Sequence, residues 1–400
     1  MVKNMRTRRN TGKEDDRGRE LLGIFVLVIF STILRFLVTN YDKIMSIYPD
    51  ELIYYGVSKS IFNGTDILVH GNPTSIQNIA YSFFLIPFMM IEDSVIRIKV
   101  ITFANGLLLA SSVFPVWLIC KELSLKKNDR ILSVVIILLW PDMATSGVLM
   151  AENLYWPLIV WTIYFLIRFM RTERIRYAIP AGMMSYLAYF CKEVAICLPL
   201  ALVGYYVVYP AVQRVLFKEN PRKLYNKRNL SGLIIFLCVF AAGYIGAKKF
   251  LFLGGTNAYA NENTVGLGAV MSAYNLVYML YAFLYYLIAI ILASGIFPVC
   301  YSIALYRYLD KVTQKVITFL LIFLSGSALV IAYTITVREE LGTVAIRIHL
   351  RYIAMFVVIF IPLFFKAIQT VQQIESDVKW KSNVFLVLGI YWIVFLFIFK

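Results

Sequence analysis

The sequence predicts an all-α polytopic membrane protein, a bundle of about 11 transmembrane helices with a structured first extracytoplasmic loop. Three observations predict it. The 400 residues are 60% hydrophobic and 16% charged, with a mean hydropathy of +0.74. Apolar runs near 21–39, 97–119, 153–170, 230–252, 316–336, 351–365 and 382–399 read as long enough to cross a bilayer. The polar stretches between them are short, with none of domain length, so residues 21–400 are expected to form one transmembrane domain and any chemistry must sit in loops or between helices.

Residues 1–20 form a basic tail, expected to be disordered. The first apolar run behind it lacks a small-residue cleavage site, so it reads as a retained helix with a cytoplasmic N-terminus. Net charge +16 falls in membrane-proximal loops, as the positive-inside rule produces, which excludes nucleic acid as the partner. The basic loops 121–130, 168–176, 214–228, 307–315 and 366–381 are expected on the cytoplasmic side. Residues 40–96, 141–152, 253–270 and 337–350, with a tight turn at Lys192-Glu193, then face outward, making a multi-pass plasma-membrane protein with an extracytoplasmic site.

Residues 40–96 are too long for a plain connection and read as a structured cap. Pro49 suits the first position of a short helix that places Asp50 and Glu51 where the helix dipole favours negative charge. The apolar run 80–91 is too short to span and reads as interfacial or re-entrant. Residues 186–209 read as a helical hairpin broken by Lys192-Glu193. Ser294, Gly295 and Pro298 mark a kink or a second short crossing within 271–305.

Cys120, Cys191, Cys197, Cys238 and Cys300 lie in or beside apolar helices without paired spacing, as small buried residues do. His70 and His349 are the only histidines and have no ligand-like spacing. A divalent cation held by Asp50, Glu51 or Glu152 with a substrate phosphate is left open. No nucleotide loop of Gly-Lys-Ser type occurs.

Four groups of residues can carry chemistry. Asp50 or Glu51 can take a proton from an incoming hydroxyl or amine, or can simply cap a helix in the interface. Glu152 opens an apolar helix on the same side, as a second functional acid or a dipole partner. Lys192 lies in an otherwise apolar hairpin, where an ammonium needs a phosphate or an acidic side chain. Arg347 and Arg351 are four apart on one helical face, beside Tyr352 and after Arg338. They suit forked hydrogen bonds to phosphate or ordinary headgroup anchoring.

The order of these elements resembles the GT-C superfamily of polytopic glycosyltransferases that use polyprenyl-phosphate sugars, particularly the protein mannosyltransferase and aminoarabinose-transferase-like branch. The resemblance runs over about the first 210 residues: Tyr48-Pro49-Asp50-Glu51 with Tyr54-Tyr55, the apolar 80–88, Trp140-Pro141, Glu152, and the hairpin at Lys192-Glu193. Farther on, Arg351-Tyr352 is similar to the family's late Arg-Tyr element. Cys191 stands where many members have Thr before the basic residue.

The resemblance implies a GT-C-like bundle that transfers a sugar from a polyprenyl phosphate to an extracytoplasmic lipid, glycan or protein acceptor, with inversion. Asp50 corresponds to the acid that deprotonates the acceptor, Glu51 to a helper or substitute, and Glu152 to the second outer acid. Lys192, Arg347, Arg351 and Tyr352 correspond to donor-phosphate ligands. Direct displacement needs no protein nucleophile. With no periplasmic or luminal domain after the last helix, a small or lipid-linked acceptor or an acceptor-recognition partner protein is expected. The competing functions are a flippase or transporter of lipid-linked saccharide, which would favour mid-helix charges and related halves, and an inactive accessory subunit.

Overall fold

The computed structural model describes residues 2–39, 49–69, 72–73, 78–220, 226–250, 273–338, 354–374 and 379–398. Among these the chain is α-helical apart from one minimal antiparallel ladder, Leu68–Val69 with Asn72–Pro73, in the first long loop.

Helix α1 runs Val2–Thr39, so the residues expected as a disordered tail continue the first helix; they hold no proline. Helix α2 (Pro49–Asn63) starts at Pro49 with Asp50 and Glu51 in its first turn. Short α3 (Ala80–Leu85) passes into a 3-10 turn at Ile86–Met90. The Asp93 carboxylate caps α4 (Ser94–Ala110), accepting from the N–H groups of Val95 and Ile96 at 2.8 and 2.9 Å. A two-residue turn joins α4 to α5 (Val113–Glu122), and the pair provides one 29-residue crossing.

Helix α6 (Lys127–Leu138) gives way to a 3-10 stretch at Pro141–Gly147, and α7 (Glu152–Thr172) ends where Glu173 turns left-handed at φ 54°. Helix α8 (Ala178–Cys191), a 3-10 turn at Glu193–Ile196 and α9 (Cys197–Phe217) form the hairpin broken at Lys192. Next come α10 (Lys227–Phe250), α11 (Ala273–Ala293) and α12 (Phe297–Ala304), the last two separated by Gly295 and Ile296 at φ 76° and 67°. The chain closes with α13 (Lys311–Arg338), α14 (Ala354–Gln373) and α15 (Lys379–Ile398).

Eight helices among the described residues are long and apolar enough to cross a membrane, fewer than the expected 11. The shortfall has a geometric cause. Helices α6 and α8 have 12 and 14 residues, which at 1.5 Å per residue reach only about 18 and 21 Å. The bundle is therefore polytopic, with short helices among full spans, and both α6 and α8 end beside the polar residues described below.

Helix α7 is the hub. Two thirds of its span is buried, 67% against 22% for α1 and α10 and 11% for α15, whose apolar side chains face outward. It packs on α8, which packs in turn on α10; α9 and α11 pack on α13, and α1 on α4. The α8–α10 contact depends on Gly182, where an added Cβ would stand 2.8 Å from the Phe236 carbonyl oxygen. Four of the five cysteines are buried, whereas Cys238 is exposed on the outward face of α10.

At the end of the bundle away from Asp50, several basic groups are paired. Arg130 holds Glu20, which also accepts from the Trp117 indole at 2.7 Å; Arg168 and Arg171 share Glu122; and Lys366 meets Asp310 at 3.2 Å.

Candidate active site

At the opposite end, the first turn of α2 separates the adjacent acids. Glu51 is 1% exposed, and its Oε1 accepts the Leu149 backbone N–H at 2.7 Å. Asp50 remains partly exposed. The difference follows from helix geometry: neighbours point about 100° apart, so when one side chain turns into the bundle the next lies along the surface. The partner N–H belongs to the segment between the 3-10 stretch and α7, where an extended backbone leaves it available to a side chain.

A few residues on, Glu152 opens α7 and is 2% exposed. It forms an ion pair with the Lys192 ammonium, so the hairpin's charge finds an acidic side chain. Lys192 reaches it because the chain leaves α8 there in an extended conformation, φ −149° and ψ 131°, before the 3-10 turn. Adjacent Glu193 points outward and is exposed.

A neutral network is built from residues beside the two acids in the chain and across from them. The Tyr81 hydroxyl donates to Asn105 Oδ1 at 3.0 Å, while the amides of Asn105 and Asn153 both donate to the Val148 carbonyl, at 3.3 and 2.8 Å. Tyr81, Asn105 and Asn153 are completely buried. Burial pushes the Tyr81 phenol far above its ordinary range, and the charges of Glu51 and Glu152 add to it. Tyr81 is thus a fixed neutral donor, and both carboxylates are within electrostatic reach of it.

Aromatic packing orients α2 over this network. Tyr54 meets Tyr81 edge-on at 5.4 Å. Tyr55 accepts from Arg97, whose guanidinium also donates to the Ile91 carbonyl at 2.7 Å and lies over the Tyr55 ring. On the α1 side, Arg35 donates to the carbonyl of Leu138, the last residue of short α6, satisfying a group a helix end leaves open.

Sequence reasoning passed over Tyr81, Asn105, Arg97 and Arg35, and gave Asn153, beside Glu152, no role. Two carried a signal: Asn105 and Arg35 interrupt apolar runs, where a polar group needs an internal partner. Of the predicted site residues, the structure brings together Glu51, Glu152 and Lys192, with Asp50 beside them. Arg347, Arg351 and Tyr352 lie outside the described residues. Arg338 closes α13, but its side chain is outside the described ones.

The family model for dolichyl-phosphate-mannose-protein mannosyltransferase matches residues 78–244, the segment that holds Tyr81, Asn105, Glu152, Asn153 and Lys192. The crystal structure of ArnT from Cupriavidus metallidurans bound to undecaprenyl phosphate superimposes with TM-score 0.51 at 12% identity, covering 92% of this chain and 63% of that one. The chain has a GT-C-like fold. The apo form of the same ArnT also has that fold in common with the chain, at TM-score 0.51 and 14% identity, covering 91% of this chain and 62% of that one. The GT-C bundle described here resembles the ArnT and protein mannosyltransferase branch, and it spans under two thirds of the ArnT length. No curated protein matches the sequence.

Proposed function

We propose that this chain is a membrane glycosyltransferase that moves a sugar from a polyprenyl phosphate to an extracytoplasmic lipid, glycan or protein acceptor. One observation carries the reading most: Glu51 is buried on the Leu149 N–H while Asp50, one residue earlier, keeps access to the surface. That division leaves Asp50 as the base and makes Glu51 the anchor of its helix. The GT-C fold and the likeness to an ArnT bound to undecaprenyl phosphate support the donor class.

In this mechanism Asp50 takes the proton of the acceptor hydroxyl or amine as that atom attacks the anomeric carbon. The bond to the phosphate oxygen breaks, polyprenyl phosphate departs with the electron pair, and the anomeric centre inverts. Charge builds on the leaving phosphate, where Arg347 and Arg351 supply forked donors, Tyr352 a hydroxyl, and Lys192, held by Glu152, an ammonium. Asp50 and these phosphate ligands face outward, the basic loops face the cytoplasm, and an acceptor-recognition partner protein serves a protein acceptor. Among the described residues no three His, Cys, Asp or Glu side chains gather to hold a metal ion, and Glu51 and Glu152 already serve a backbone N–H and an ammonium; no step is routed through a metal.

The test is transfer from labelled polyprenyl-phosphate sugars to envelope acceptors, comparing wild type with an Asp50→Asn variant of equal melting temperature. Loss of transfer in the variant supports the reading. Undiminished transfer moves the base to Glu51 or Glu152, and no transfer by wild type over a broad donor panel favours transport or an accessory role.

A further inference from the structure

A cavity of about 560 Å³ opens between α9, α11, α12 and α13, toward the basic end of the bundle and away from Asp50. Its walls include Val208, Val212 and Leu216 of α9 and Ile322 and Leu329 of α13. Val208 and Leu329 are 38% and 46% exposed, so the mouth faces sideways, where lipid lies. On α9 those residues continue an i, i+4 ridge from Gly204, where an added Cβ would stand 3.1 Å from Ile322. The two helices touch at Gly204, and the next three ridge positions line the opening.

The cavity has a polar end, and two cations lie beyond it. Tyr306 and Thr318 line it and share a hydrogen bond between their hydroxyls at 2.8 Å. Lys311 opens α13 seven residues before Thr318, two turns away on the same stripe. Its ammonium donates to Gln213 Oε1 at 2.8 Å, lies 4.9 Å from the Phe217 ring centroid, and pairs with Glu219, yet its side chain is 50% exposed. Arg307, next to Tyr306, is exposed at the same end. From Thr318 to Leu329 the lining rises by about 16 Å along α13, close to half the hydrocarbon thickness of about 30 Å. That is the depth of one leaflet.

We propose that this cavity holds an acyl chain of an anionic phospholipid from the leaflet at the basic end, with its phosphate on Lys311 and Arg307. The apolar wall takes the chain, the Tyr306–Thr318 hydroxyls face the ester region, and the two cations meet a headgroup without a compensating positive charge. A zwitterionic lipid offers the same phosphate but carries its own cation against Lys311 and Arg307. Selectivity between the two is the signature.

The detergent-solubilised full chain is titrated with phosphatidylglycerol and with phosphatidylcholine of equal chain length, and bound lipid is counted by native mass spectrometry. Wild type is expected to retain phosphatidylglycerol over phosphatidylcholine by about fivefold, the effect of roughly one effective cation at a headgroup. Lys311→Gln is expected to remove that preference. Val212→Trp, and independently Leu329→Trp from the opposite wall, are expected to lower retention of both lipids by filling the cavity. Equal retention by wild type overturns the proposal, as does a preference that survives Lys311→Gln or retention unchanged in both tryptophan variants. Displacement of bound phosphatidylglycerol by equimolar polyprenyl phosphate overturns it too, by making the cavity a donor site.

Discussion

Glu152 and Lys192, forty residues apart, form an ion pair in which the side chains are 2% and 11% exposed. The pair ties the start of α7 to the turn between α8 and α9, so two segments of the site hold one position through one contact. A charge buried to this degree is tolerated because its opposite is there.

Removing one partner strands the other. Glu152→Leu or Lys192→Met alone is expected to cost about 3–5 kcal/mol, while the double substitution recovers most of that loss. Thermal unfolding of the detergent-solubilised protein checks this; single variants that melt like wild type would show that the pair carries no structural weight. Sugar transfer is expected to stay low even in the double variant.

Glu51 is predicted to act through structure. Glu51→Ala leaves the Leu149 N–H without its acceptor, a loss of about 1–3 kcal/mol, whereas Glu51→Gln keeps an oxygen there and restores most of the melting temperature. If transfer in Glu51→Gln falls as far as in Asp50→Asn, with folding intact, the base is Glu51 instead.

Tyr81 and Asn105 are expected to be coupled. In a double-mutant cycle with Tyr81→Phe and Asn105→Leu, the pair should return a coupling of about 0.5–1.5 kcal/mol, typical of a net hydrogen bond. Additive effects would mean that the buried contact contributes nothing to stability.

Gly182 lets α8 approach the backbone of α10. Gly182→Val must push the helices apart and is expected to cost about 1–3 kcal/mol through overpacking, and to reduce transfer by moving Lys192 at the far end of α8. A variant with wild-type melting and activity would show that the contact has slack.

Asp310 makes acid stability pH-dependent. Burial alone would raise its carboxyl, but the Thr313 hydroxyl and N–H and the Lys366 ammonium outweigh it and hold it below the ordinary range. With a depressed folded pKa, the unfolded chain binds more protons in the window between the two values, so stability rises with pH there. The contribution is complete above the unfolded value of about 3.9 and is lost as pH falls through the folded one. Melting temperature followed from pH 6 downward should drop less steeply for Asp310→Asn than for wild type.

The sequence by itself determined what local chemistry determines. Apolar run lengths made the chain a polytopic helical bundle, Pro49 started α2 with both acids in its first turn, and Lys192-Glu193 and Gly295 marked breaks, because solvation and backbone freedom act over one or two turns. Even there, alternating the basic and outer loops overstated the number of full crossings: α6 and α8 stop early, and the carbonyl that α6 leaves open is met by Arg35 from another helix. Only the tertiary structure decided that Glu51 turns inward and Asp50 does not, since the N–H that holds Glu51 lies 98 residues away. It also chose Glu152 for Lys192, and the Val148 carbonyl for Asn105 and Asn153. A buried polar group must be matched by whatever the fold brings beside it, and no spacing along the chain names that partner.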